Sequence, residues 1–188
     1  MSKLIYSAIT SLDGYVADTN GNFDWAQPDE EVHTFINDME KPIGTYLYGR
    51  KMYETMAVWE TMPLHDEPDC MRDFAHIWKA ADKIVYSKTL KTVSGPKTQI
   101  KINFDAQEIK RLKQIESSDL AIGGPHIAAV AIKAGVVDEY HQFIAPVIIG
   151  AGNAWLPNNV HINLELVDEK RFPSGFIYLR YRLANQWC

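Results

Sequence analysis

An α/β fold is predicted for this 188-residue sequence: a mostly parallel sheet covered by helices on both faces, with an antiparallel hairpin at its end. Three observations predict it. Short apolar runs alternate with segments of helical periodicity, the pattern of a parallel sheet built with crossover helices. Several of those runs end in glycine or hydroxyl-bearing turns that open directly into a helix. The last stretch places two strand-like segments around Pro173-Ser174-Gly175, a hairpin turn. The length suits one domain over residues 1–188, which would bury roughly 70% of its unfolded surface.

In chain order, Leu4–Thr10 reads as a buried strand and Ser11-Leu12-Asp13-Gly14 as the turn leaving it. Thr19-Asn20-Gly21-Asn22 has the chemistry of a loop. Pro28–Glu40 is predicted helical, with Pro28 in the first turn, Asp29, Glu30 and Glu31 at the positive dipole end, and Val32, Phe35, Ile36 and Met39 on one stripe. Tyr46–Tyr48 is a strand entering Gly49-Arg50-Lys51, from which a helix runs to about Ala57. After the Pro63–Asp69 loop, Met71, Phe74, Ile77 and Trp78 mark the apolar side of another helix, and Lys83–Ser87 is a strand. Asp105 and Glu108 form a capping-box pattern opening a helix with Ile109, Leu112 and Ile115 on its core face and Lys110, Arg111 and Lys113 on its solvated face. Leu120–Ile122 and Tyr140–Ala145 are strands, and Ile162–Phe172 with Phe176–Leu183 form the closing hairpin.

The net charge of −5 disfavours binding to polyanions such as nucleic acid, which requires a basic face. Two cysteines, Cys70 and Cys188, lack metal-type spacing and suit a reducing compartment. Asp13-Gly14 interrupts the N-terminal apolar run before a signal peptide could form, and no run is long enough to span a bilayer. A soluble cytoplasmic protein is the expectation. The six histidines show no H-x3–5-H spacing, so no metal site is expected, and neither a G-x-S-x-G elbow nor a Cys/His pairing supports nucleophilic hydrolysis.

Three strand-to-helix junctions carry the chemistry: Gly49-Arg50-Lys51, Ser87-Lys88-Thr89 and Gly123-Gly124-Pro125. In a parallel sheet all three lie on the carboxyl edge, where ligands bind. The glycine pair permits close backbone approach, and a helix opening on Pro125 offers free N–H groups and a positive dipole end to an anion. Arg50, Lys51 and Lys88 add cations, and Ser87 and Thr89 add hydroxyls. Together they read as a three-point phosphate grip, and a third phosphate would favour NADPH over NADH.

These residues resemble the dihydrofolate-reductase-like superfamily, most closely the reductase domain of bifunctional riboflavin-biosynthesis proteins and its stand-alone relatives. The matching pieces are Ser11–Ala17, Gly49–Glu54, Val85–Leu90, the Ile122–Gly152 stretch and, within it, Gly135-Val136-Val137-Asp138-Glu139. The resemblance implies an NADPH-binding α/β/α sandwich, usually a homodimer. It gives Arg50, Lys51, Ser87 and Lys88 the adenosine 2′-phosphate side, with Gly49, Met52 and Thr89 of the same two motifs also cofactor-binding. Ile122, Gly123, Gly124, Pro125, His126 and Ile127 would hold the pyrophosphate. Backbone near Ile9 and Val16 would meet the nicotinamide, with Ser11–Ala17 closing over it. The family's Gly-Arg-x-Thr motif has Met52 in place of its threonine here. The carboxylate by which folate reductases engage a pterin falls near His33, and the fused deaminase's zinc signature is absent.

The reaction implied is hydride transfer to a C=N or C=O carbon of a small heterocycle, the nearest named case being the phosphorylated ribosylaminouracil of riboflavin synthesis. Other carbonyl or pteridine-like substrates, or NADPH binding without turnover, stay open. Asp13 reads as a turn residue or as the residue ordering the loop over the nicotinamide; His33 as a helix-surface histidine or a proton donor. Trp25, Tyr53 and Trp59 are core aromatics or stack on a planar substrate, and His141 is a core histidine or faces the substrate. Gly150 and Gly152 read as turn glycines near the cleft.

Overall fold

Leu4–Thr10 (β1) is apolar on both sides because helices cover both sides of it: Leu4 and Tyr6 are fully buried on one face, Ile5 on the other. The computed structural model describes residues 1–184. The remaining elements are β2 (Tyr15–Ala17), α1 (Glu30–Glu40), β3 (Ile43–Gly49), α2 (Arg50–Met56), α3 (Val58–Thr61), α4 (Asp69–Ala80), β4 (Asp82–Tyr86) and β5 (Thr98–Lys101). They continue with α5 (Ala106–Ile115), β6 (Asp119–Gly123), α6 (Pro125–Lys133), β7 (Glu139–Ile144), β8 (Asn153–Ala154), β9 (Leu164–Arg171) and β10 (Ile177–Leu183).

Eight strands form one sheet in the order β5-β4-β3-β6-β1-β7-β10-β9. The first six are parallel, and β10 and β9 add antiparallel, as the hairpin predicts. Residues of α5 and α6 pack with Leu4, Tyr6, Leu47, Leu120 and Ile122 on one face. Helices α1, α2 and α4 cover the other, where Tyr46, Tyr48, Phe74 and Trp78 form one cluster and Val32, Phe143, Phe172 and Tyr178 a second. The α/β/α sandwich is therefore the observed architecture. Among the described residues no helix is long and apolar enough to cross a membrane.

Several expectations are corrected. Helix α1 starts at Glu30 and not Pro28, because Asp29 is extended and its carboxylate accepts the Val32 N–H at 2.9 Å, making it the N-cap. Ile115 is 68% exposed: α5 ends there, beyond the reach of the sheet, whereas Ile109 is fully buried. Lys113 is not solvated; its ammonium pairs with Asp138 at 2.6 Å and only 12% of the side chain is exposed. The capping box at Asp105 is half-formed: Asp105 accepts the Gln107 N–H, but Glu108 turns to Lys101. Cys70 is a buried free thiol, and Cys188 lies outside the described residues. Strands β2, β5 and β8 and the short helix α3 add to the elements that the sequence predicts.

At the far end of α1 the Glu40 carboxyl lies beside the Tyr46 hydroxyl, and burial pushes its pKa up to about 7. The native state then holds this proton where the unfolded chain, titrating near 4.5, has released it. Stability from this group is complete below pH 4.5 and is lost as pH rises to about 7. Glu40→Gln is expected to abolish that slope and to stabilise the protein at pH 8 by about 1–3 kcal/mol relative to wild type. Urea midpoints of both proteins at pH 5 and pH 8 would check it. Glu139, held down at about 2 by its hydrogen bond with His141 and then by Lys3, loses its contribution only below this range.

Candidate functional site

Register brings the three junctions together. Gly49 lies opposite Tyr86 and Tyr48 opposite Gly123, so the carboxyl ends of β4, β3 and β6 are level and adjacent. Neighbouring strands stand about 4.8 Å apart, so the outer two junctions are about 10 Å from each other.

At the β3 end Gly49 caps α2, and Arg50 reaches across to the β4 junction, where its Nη1 donates to Thr89 Oγ1 at 3.1 Å. Glu54, one turn along α2, holds the other side of the guanidinium at 3.4 Å from Nε. The i,i+4 spacing of Arg50 and Glu54 is the signal that could have identified this support. Ser87 Oγ accepts the N–H groups of Thr89 and Leu90, which tightens the turn after β4. Lys51 and Lys88 are exposed.

At the β6 end Gly124 is the N-cap of α6, with φ +96°, a conformation few side chains tolerate. Pro125 follows at the first helical position, and the N–H groups of His126 and Ile127 fall in the first turn, where helix geometry leaves donors free. Packing also demands these glycines. A Cβ on Gly123 would lie 2.7 Å from the Tyr48 ring, and one on Gly124 3.1 Å from Met52 Cβ. Met52 thus fills the space between α2 and Gly124. Ile122 is buried in the strand behind them.

Beside these junctions, β1 and β7 end in loops bound to each other. Leu12 N–H donates to the Val147 carbonyl at 2.7 Å, and Asp13 accepts the N–H groups of Ile149 and Gly150 at 3.3 and 2.8 Å. Ser11's hydroxyl and these amides hold the Asp13 carboxyl below the usual range. Strand β2 pairs with β8, and the Trp155 N–H reaches the Gly14 carbonyl. The structure places Asp13 as a charged tether between two loops. Ile9 and Val16 are half-buried at the same end, Ile9 packing in one cluster with Trp25, Val32, Ala145 and Val147. No sequence signal revealed the loop after β7 as Asp13's partner, because the contact spans more than a hundred residues.

His33 is not on the open helix surface. Its ring meets Phe74 and Trp59 edge-on at 5.8 and 6.3 Å, Nδ1 is buried without a partner, and burial lowers its pKa, leaving a neutral imidazole at pH 7. Trp59 packs on Phe74 at 4.9 Å. Trp25 sits in a 3-10 turn, Asp24–Ala26, with Nε1 buried and unpaired. Tyr53 is 4% exposed and its hydroxyl is bonded to Ser94, so its ring belongs to the core. His141 is 4% exposed in mid-strand, with Nε2 3.2 Å from Glu139 and Nδ1 3.4 Å from the Tyr178 hydroxyl. Both of its nitrogens are occupied by structural partners. An open groove between α1 and Lys170, lined by Glu30, Glu31, Thr34, Phe35 and Asp38, shares no residue with the three junctions.

The sequence model of the RibD C-terminal domain family matches residues 2–178. The chain is 28% identical over 183 residues to the protein named uncharacterized protein YyaP of Bacillus subtilis (strain 168), covering 95% of this chain and 94% of that one. Among solved structures it is similar to a diaminohydroxyphosphoribosylaminopyrimidine deaminase/5-amino-6-(5-phosphoribosylamino)uracil reductase from Thermotoga maritima. There the TM-score is 0.67 at 16% identity, over 97% of this chain and 57% of that one. It is also similar to dihydrofolate reductase from Enterococcus faecalis, with a TM-score of 0.64 at 16% identity over 97% of each chain.

Proposed function

The chain belongs to the RibD C-terminal domain family, and from that membership we propose that it is an NADPH-dependent reductase acting on a C=N or C=O carbon of a small heterocycle. The observation that carries the cofactor assignment is the bridge from Arg50 to Thr89. It draws a guanidinium from one junction over the hydroxyl of the next, beside Lys51 and Lys88, and so builds an anion site on two strand ends. The residues fit a dinucleotide with three phosphates. Arg50, Lys51, Ser87, Lys88 and Thr89 would hold the 2′-phosphate, and the backbone from Gly123 to Ile127 the pyrophosphate.

When bound, such a cofactor supplies the hydride. The chain's own part is positioning and exclusion of water. The glycine pair lets backbone amides approach the pyrophosphate, and the tethered loops after β1 and β7 close the site beyond Ile9 and Val16. His33, neutral at pH 7, can accept or donate a hydrogen bond but is a poor source of a proton.

Thermal unfolding tests this reading. NADPH at 100 times its Kd is expected to stabilise the protein by about 2.7 kcal/mol, and NADH at the same concentration by far less. Absence of stabilisation by either nucleotide would overturn the reductase assignment. Tight binding without NADPH consumption, across aminouracil phosphate, dihydropterins and simple carbonyls, would favour a non-catalytic nucleotide-binding role.

A further inference from the structure

The last two strands carry opposite chemistry on their two faces. Register sets Leu183 opposite Leu164, Tyr181 opposite Leu166, Leu179 opposite Glu169 and Ile177 opposite Arg171, with Val167 the bulged residue between them. These alternate with Tyr178, Arg180 and Arg182, which stand opposite Lys170, Asp168 and Glu165. Tyr178 packs in the cluster beneath α1 and Tyr181 at the rim of the cluster beneath α5 and α6, which fixes the side each set occupies. The α1 side is charged and largely paired within the chain. Arg182 holds Glu165 at 2.9 Å, Lys170 holds Glu31 at 3.6 Å, and Arg180, whose Nε is buried without a partner, reaches Asp168 at 3.9 Å.

The other side is apolar and open. Leu164, Leu166 and Leu183 are 36%, 45% and 40% exposed, and among the described residues Tyr181 is the one residue of β9 or β10 that packs against the α5/α6 cluster. A sheet with an apolar face needs a further layer to cover it. Leucine pairs beside an edge strand of eight residues are a surface that monomers avoid. Two charges interrupt the strip, Glu169 and Arg171, toward the end of β9. Both are exposed, and neither enters an ion pair among the described residues. They have opposite signs, lie two residues apart on one face, and cancel.

We propose that this face is a self-association surface, on which two copies of the chain pack sheet on sheet about a two-fold axis running along β9 and β10. The charges choose the occupant. A partner must offer an anion and a cation about 6.8 Å apart beside an apolar strip, and a second copy does so by construction. With the axis along the strands, each residue faces the same height in the other copy. Leucines then meet leucines, and Glu169 of each copy comes within reach of Arg171 of the other. An axis across the strands would lay both charges on the facing leucines and bury them unpaired. The strip, about 27 Å long and about 20 Å wide with its side chains, has a footprint on the order of 500 Å² per copy. A contact of about 1,000 Å² in total stands at the weak end of specific interfaces, so the dimer dissociates on dilution.

Sedimentation velocity of the full chain from about 1 to about 200 µM is expected to show reversible formation of a dimer. Leu166→Arg, at an exposed position, should leave the far-ultraviolet circular dichroism unchanged and give a monomer throughout. Glu169→Arg alone and Arg171→Glu alone each set two like-charge pairs across the contact, and each should weaken the dimer at least about tenfold. An equimolar mixture of those two variants restores both attractive pairs in the mixed dimer, and should associate within about threefold of wild type. Misfolding of either variant cannot imitate that recovery, since both chains enter the mixture unchanged. A wild-type protein monomeric at about 200 µM, a Leu166→Arg protein that still dimerises, or a mixture that associates no better than its components would overturn the proposal.

Discussion

Replacing Arg50 and Lys88 together by alanine is expected to weaken NADPH binding about 100-fold, while NADH changes by no more than a few-fold. Hydrogen bonds to a charged group contribute about 1.5–3 kcal/mol each, and two lost at an exposed site sum to roughly 3 kcal/mol, or two decades in Kd. NADH carries no 2′-phosphate, so it loses only weak long-range attraction. Folding should be nearly untouched. Removing Arg50 frees Thr89 to bond water and breaks one exposed i,i+4 pair with Glu54, worth about 0.3–0.5 kcal/mol. Fluorescence titration with each nucleotide measures the contrast. Equal losses for both would place the 2′-phosphate elsewhere on the edge.

Gly152→Ala is expected to destabilise the fold by about 3 kcal/mol and to lower the melting temperature by about 6–12 °C. The added Cβ would sit 1.9 Å from the Ala17 carbonyl oxygen, with Ala17 C and Asp18 Cα at 2.9 Å. All three are backbone atoms, so no rotamer change relieves the contact, and β8 must leave β2. Trp155 moves with it: its carbonyl accepts the Tyr6 hydroxyl, its ring lies 5.7 Å from that of Tyr6, and the residue is 6% exposed. Gly150→Ala is the control. A Cβ there meets nothing within 4 Å, and only the φ of +81° opposes it, at about 1–2 kcal/mol. A smaller shift for Gly150→Ala than for Gly152→Ala identifies the backbone contact as the cause.

The fold and the three strand-to-helix junctions were largely legible because their signals are local. An apolar run such as Leu4–Thr10 announces a buried strand, and glycine, serine or proline at its end announces the junction. Strand β5 was hidden, since Thr-Gln-Ile-Lys has no apolar alternation and is a strand only because it pairs with β4. Side-chain direction was the harder matter. Tyr53 and His141 have the chemistry of a substrate site, yet one turn of helix or one step of strand decides whether such a group meets a ligand or Ser94 and Glu139. Strands β2 and β8, at three and two residues, carry no periodicity at all; their pairing depends on sequence separated by more than 130 residues. The Lys113–Asp138 pair leaves no local signature for the same reason.

The bonds between the loops after β1 and β7 have a mechanical consequence. Leu12 to Val147, Asp13 to Ile149 and Gly150, and Gly14 to Trp155 are successive stitches along one seam. Neither loop can lift alone without tearing several of them. Opening of this end of the sheet therefore involves a single panel carried on two strands. Its amide exchange should share one opening energy from residue 12 to residue 155, instead of showing two flaps with separate clocks.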